Sequence, residues 1–199
     1  MKFSILKSSL FKNTAIYTIT DGISKGLAFL TLPLISHYLI PEELGIAANF
    51  DVLQNILMLL AGQAVINSMP YFFYGKTKEE KSNIVSSLFF IVIVSNILFS
   101  FLILLFTAIL EDYLHIGILL QILTIVSVVA HLISCLNLVL YRLEDKPYIF
   151  AKLQIAQTVL YLTALVIFVV VLRMSALGKI LSVIVSFFID GNSAYCFID

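Results

Sequence analysis

The chain has 199 residues, 61% of them hydrophobic and 12% charged, with a mean hydropathy of +1.07. A soluble domain is roughly 45–50% apolar and about 25% charged, so a water-soluble globular fold is excluded and lipid must be the solvent for most of the chain. Twelve basic and twelve acidic residues cancel, leaving no electrostatic footprint for a nucleic-acid partner.

A bilayer core of about 30 Å needs roughly 20 helical residues at 1.5 Å each, and six segments approach or meet that length. Lys2, Lys7 and Lys12 precede an apolar stretch that reaches Leu39. It is longer than a signal-peptide core of about 7–15 residues and is interrupted by Asp21 and Lys25, so it reads as an uncleaved first span, 14–39, with Asn13 as its N-cap. Pro33 predicts a bend in it. The second span, 42–74, opens with Pro41 at the first helical position and Glu42 and Glu43 in the first turn. Pro70 predicts a kink or an early end. Further spans are expected at 84–110, 113–141, 148–172 and, shorter, 176–189. Residues 190–199 read as a C-terminal tail.

The connections are short and polar, so consecutive helices must run antiparallel, in an all-α membrane bundle with no soluble domain. Lys2, Lys7, Lys12, Lys76, Lys78, Lys81, Arg142, Lys146 and Lys152 all fall on one side; only Arg173 and Lys179 fall on the other, with Lys25 within a span. Glu42, Glu43, Glu111 and Asp112 occupy the opposite loops. By the positive-inside rule the lysine-rich side, and the N-terminus with it, is expected in the cytoplasm.

Polar residues within the spans recur at three- and four-residue steps. Thr14, Tyr17, Thr18, Asp21 and Lys25 share one face of the first span, where Asp21 and Lys25 are spaced to pair. Asp51 and Asn55 form a similar couple in the second, followed by Gln63 and Asn67. The fourth carries Thr124, Ser127, His131, Ser134 and Tyr141, and the fifth Gln154, Gln157, Thr158 and Tyr161. Such stripes either line a water-accessible cavity, as in a transporter, or join helices through interhelical hydrogen bonds. Equally, His131 is open to a packing role or a proton-relay role. Gly22 and Gly26 form a GxxxG step suited to close helix contact.

Catalytic signatures are missing. Gly75-Lys76-Thr77 matches the end of a Walker A loop, but Pro70 stands where the upstream glycine is required. The three histidines match no HExxH zinc motif, and no GxSxG elbow occurs. Cys135 and Cys196 form no CxxC pair. No enzymatic activity, cofactor or metal is expected.

The order Phe11-Lys12-Asn13-Thr14-Ala15-Ile16-Tyr17, then Lys25 and Phe29, then Leu32-Pro33-Leu34-Ile35 and Tyr38-Leu39-Ile40-Pro41-Glu42-Glu43-Leu44-Gly45 resembles the N-terminus of the bacterial polysaccharide (O-antigen) flippases. These belong to the multidrug/oligosaccharidyl-lipid/polysaccharide exporter superfamily. The resemblance covers about residues 11 to 82; beyond that only spacing and hydropathy agree. It implies a twelve-helix carrier in two six-helix halves, of which this sequence matches the first. Such a carrier moves a polyprenyl-pyrophosphate-linked oligosaccharide across the cytoplasmic membrane by alternating access, coupled to H+ or Na+, alongside partners from the polysaccharide assembly machinery.

By position, Lys25 matches the cationic cavity residues of that family, and Asp21, Asp51, Asn55 and His131 are candidate coupling or gating groups. The chain stops where a second half would follow, and a truncated or frameshifted product, with one cavity wall and no opposing one, is the expectation. A fragment of a cation-coupled multidrug exporter and a non-transporting membrane scaffold or remnant are the alternative readings.

Overall fold

The computed structural model describes residues 2–114 and 116–191; no strand occurs among them. Nine α-helices follow in order: α1 (Lys2–Phe29), α2 (Thr31–Tyr38), α3 (Pro41–Met58), α4 (Ala64–Phe73), α5 (Lys78–Leu105), α6 (Thr107–Leu114), α7 (Ile118–Leu143), α8 (Pro147–Leu165) and α9 (Ser175–Gly191). A π-helical turn, Leu59–Gln63, joins α3 to α4, and another, Val166–Val171, extends α8. Four stretches are long and apolar enough to cross a membrane: Pro41–Phe73, Glu79–Leu105, Ile118–Leu143 and Pro147–Val171. The first and last of the six expected spans differ from these. α1 has the length but is interspersed with Thr, Ser, Asp21 and Lys25, and the apolar part of α9, Ser175–Phe187, is shorter. Both rely on neighbours to cover their polar groups. The expected tail lies outside the described residues beyond Gly191.

Local chemistry sets several helix starts. Pro41 and Pro147 each occupy a first helical position, where a missing N–H costs nothing. Thr77 caps α5 reciprocally: its hydroxyl accepts from Glu80 N at 3.4 Å, and Glu80 Oε2 accepts from Thr77 N at 2.9 Å. Before this cap the chain reverses at Gly75, whose φ of +77° lies in the left-handed region that glycine enters without strain.

Several expected boundaries change. Asn13 is not a cap, because α1 begins at Lys2 and carries Asn13 in its interior. The predicted bend falls at Leu30, between α1 and α2, where the ring of Pro33 opposes the carbonyl of Phe29. The kink assigned to Pro70 lies instead at Gly62, while α4 runs through Pro70 to Phe73. A Cβ on Gly62 would lie 2.8 Å from Cγ2 of Val92, so the glycine is what lets the bent helix approach α5. The third span breaks at Phe106 into α5 and α6, and the fourth begins at Ile118 rather than 113.

The main core joins α3, α4, α5 and α7 through Leu53, Leu57, Met69, Val92, Leu132 and Leu136. Phe50 of α3 packs on Ile180 and Ile184 of α9, and Ile35 and Leu39 pack on Leu165 and Val169. Contact order along the helices fixes direction. The Lys12 ammonium sits 5.8 Å from the Tyr148 ring centroid, Tyr17 meets Phe150 edge-on at 5.1 Å, Asp21 bonds Gln154, and Thr31 bonds Tyr161. α1 and α8 are therefore parallel. Gln54 donates to Ser127 at 2.9 Å, and Ile66 and Asn67 share a cleft with Leu138 and Val139, so α3–α4 and α7 are parallel too. The start of α1, the α4–α5 turn and the α7–α8 turn thus gather at one end of the bundle, and the lysine-rich segments share that end.

Candidate polar clefts and ion pairs

Four helices, α1, α4, α7 and α8, enclose an open cleft of about 190 Å³ toward the basic end, lined by Asp21, Asn67, Cys135, Arg142 and Gln154 among others, with Gln63 of the adjoining π-helical turn also on its wall. Asp21 is its acidic group. Gln154 Nε2 donates to Asp21 Oδ1 at 2.9 Å, while an Arg142 guanidinium nitrogen approaches Asp21 Oδ2 at 3.5 Å. The guanidinium lies over two aromatic rings, with its carbon 4.8 Å from the Phe150 centroid and 5.5 Å from that of Tyr17, a cation–π seat on a planar ion. Ile66, Leu138, Val139 and Phe150 form the apolar wall, and Gln63, Asn67 and Gln154 supply amides.

The expected pairing of Asp21 with Lys25 is not formed. Helical spacing puts the two on neighbouring turns, but Asp21 turns inward to α7 and α8 while Lys25 is exposed on the outside of α1. No ion pair joins Lys25 to an acidic group among the described residues. The same outer surface carries Gly22 and Gly26, where an added Cβ would meet nothing within 4 Å; among the described residues the GxxxG step holds no helix.

The second expected couple also separates. Asp51 binds not Asn55, which is exposed, but Lys179 of α9. The Lys179 side chain is 11% exposed and that of Asp51 43%. Asp51 lies about 15 Å along α3 from Pro41 at 1.5 Å per residue, within a stretch long and apolar enough to cross a membrane. A buried ammonium there requires a counter-charge, and α9 is tied to α3 by this pair and by the Phe50 packing. The signal in the sequence is a lysine inside an apolar segment, Lys179, within the expected span 176–189.

His131 belongs to neither centre. Its ring stacks on Phe187 of α9 at 4.2 Å and 17°, and Nδ1 is buried without a hydrogen-bond partner. The rest of its stripe acts as interhelical and intrahelical glue. Ser127 is fully buried and accepts from Gln54, and Thr124 donates back to Leu120 O at 2.8 Å. Of the polar stripes, those that open onto this cleft are the faces of α1 and α8 around Asp21 and Gln154 and the second span's Gln63 and Asn67. A second, wider depression of about 470 Å³ lies at the acidic end, where Glu43 and Arg173 flank an otherwise largely apolar wall. No cluster of metal-ligating side chains occurs among the described residues.

The fold and these sites define a polytopic α-helical membrane protein with a charged cleft inside its helical bundle. Comparison with protein-family models, with curated proteins and with solved structures finds no match for the chain.

Proposed function

We propose that this chain is a carrier for lipid-linked oligosaccharides, with the Arg142 cleft meeting the anionic linkage and the basic end facing the cytoplasm of a bacterial cell. The observation that carries the reading is a cation held within a bundle whose remaining polar lining is uncharged amide apart from Asp21. The guanidinium is half-exposed in the last turn of α7 and sits over aromatic rings at the mouth of the cleft, where an anion at the membrane interface can reach it. Arg offers planar, multidentate donors to phosphate oxygens. The sequence resemblance over residues 11 to 82 supplies the substrate class, and the basic end supplies the orientation through the positive-inside rule. On this reading Arg142 takes the part that sequence position gave to Lys25, and the Asp51–Lys179 pair is the seat of coupling to H+ or Na+.

The test is translocation in vesicles. The purified protein is reconstituted into liposomes bearing a fluorescent polyprenyl-diphosphate oligosaccharide, and protection from an impermeant quencher is followed. Accelerated exchange between leaflets, reduced at least tenfold in Arg142→Gln, is the expected result. Exchange equal to that of protein-free vesicles, or unchanged by Arg142→Gln, overturns it.

A further inference from the structure

Arg142 stands half-exposed in the last turn of α7, at the mouth of the cleft, and is held loosely there. Among the described residues it makes one hydrogen bond, at 3.5 Å to Asp21, although it carries five N–H donors. Asp21 is held more firmly by Gln154, at 2.9 Å, than by the arginine. The rings of Phe150 and Tyr17 both hold the guanidinium within cation–π range, so it needs no carboxylate to stay in the cleft. Asp21 therefore occupies one edge of a donor array without completing it, much as a weak ligand would.

We propose that Asp21 sets the specificity of the Arg142 cleft: its carboxylate is an internal competitor that a phosphate or diphosphate head group displaces and a lone carboxylate does not. The inference rests on the reading of Arg142 as an anion contact. With Asp21 in place the cleft is close to neutral, so an incoming monoanion exchanges one carboxylate for another and gains little. A diphosphate brings a second charge and further acceptor oxygens for donors that Asp21 leaves unused, together with the amides of Gln63, Asn67 and Gln154 on the wall. Once displaced, Asp21 keeps its bond to Gln154, which gives the carboxylate a resting place outside the anion site. The shared ligand chemistry is the diphosphate, whether borne by a lipid or free in solution.

Cys135 lines the same cleft and reports its occupancy. In a Cys196→Ser background it is the single thiol in the chain, and its alkylation by N-ethylmaleimide is timed in detergent with farnesyl diphosphate, inorganic pyrophosphate or farnesoate. In the otherwise unchanged protein, farnesyl diphosphate slows alkylation and farnesoate does not. Slowing by inorganic pyrophosphate as well identifies the head group alone as sufficient, and its absence identifies a lipid-borne head group; both outcomes keep the site.

Asp21→Asn removes the competitor. The diphosphate then binds about two- to five-fold more tightly, the range that a partly exposed ion pair is worth, and farnesoate begins to protect. Asp21→Ser, which cannot imitate the amide geometry, gives the same direction, and Arg142→Gln abolishes protection by every ligand. If no ligand protects the unchanged protein, the anion-site reading falls and this inference falls with it. If protection depends on Arg142 but both Asp21 substitutions weaken it or leave selectivity intact, Asp21 is a positioning group for the arginine. The specificity proposal alone is then overturned.

Discussion

The Asp51–Lys179 pair is asymmetric in its surroundings, and the asymmetry predicts an order of destabilisation. The Lys179 side chain is 11% exposed and that of Asp51 43%. Asp51→Asn strands an ammonium against protein and lipid, which costs about 3 kcal/mol, the scale for an unpaired Lys in a transmembrane helix. Lys179→Met strands a carboxylate that is less enclosed by protein than the lysine, so its loss is the smaller, about 1 kcal/mol. In the double variant neither charge remains and the loss is again about 1 kcal/mol, since an ion pair replaced by groups of similar volume is close to neutral.

The single losses are therefore strongly non-additive, with a coupling of about 3 kcal/mol, near the top of the range for residues in direct contact. Unfolding of the purified protein in mixed micelles, titrated with SDS and followed by far-UV circular dichroism, measures all four proteins. Additive losses, or a larger loss for Lys179→Met than for Asp51→Asn, would refute the claim that the pair holds α9 against α3 through a buried cation.

Other consequences are equally open to measurement. Gly62→Ala places a methyl group 2.8 Å from Val92 Cγ2 and should destabilise by about 1–3 kcal/mol as overpacking, with Val92→Ala in the same chain restoring part of the loss in the same titration. Thr77→Ala removes the reciprocal cap of α5 and should cost about 1 kcal/mol, seen as faster amide exchange confined to the first turn. His131→Phe keeps a ring against Phe187 and removes a buried unpartnered nitrogen, so the SDS midpoint should rise and vesicle exchange should be unaffected; a loss of exchange would assign His131 a proton-handling role. Lys25→Ala should reduce lipid-linked-sugar exchange less than Arg142→Gln, because Lys25 lies outside the cleft; the reverse order would return the anion contact to α1.

Pro41 and the break before Pro33 were legible from groups a few residues apart. Asn13 and Pro70 offered local signals of the same kind that the packed helices override, and the Thr77–Glu80 box opens α5 six residues before the expected start at 84. The break at Gly62 was not legible, because it depends on Val92 lying opposite, and the break at Phe106 has no comparable local signal. The sites divide along the same line. A helical period shows which residues share a face, and it placed Asp21 and Asp51 correctly among the polar positions. It cannot show which neighbour that face meets. Spacing made Lys25 and Asn55 their partners, whereas packing chose Arg142, Gln154 and Lys179, each more than a hundred residues away. Arg142 was visible as a positive charge at a helix end, but its place over Phe150 and Tyr17 is a tertiary fact.

The distance in sequence between Asp21 and its partners, 121 residues to Arg142 and 133 to Gln154, bears on how the protein is made. When α1 leaves the ribosome, the groups that satisfy its carboxylate have not been synthesised. Helices are inserted roughly in order of synthesis, and a lone Asp in a moderately apolar helix is a poor candidate to partition into lipid on its own. The first helix must wait, at the insertion machinery or at the interface, until α7 and α8 arrive. Membrane integration of this chain is thus completed from α7 and α8 backward, and in a chain arrested on the ribosome before residue 142 a cysteine introduced into α1 should remain open to a water-borne maleimide.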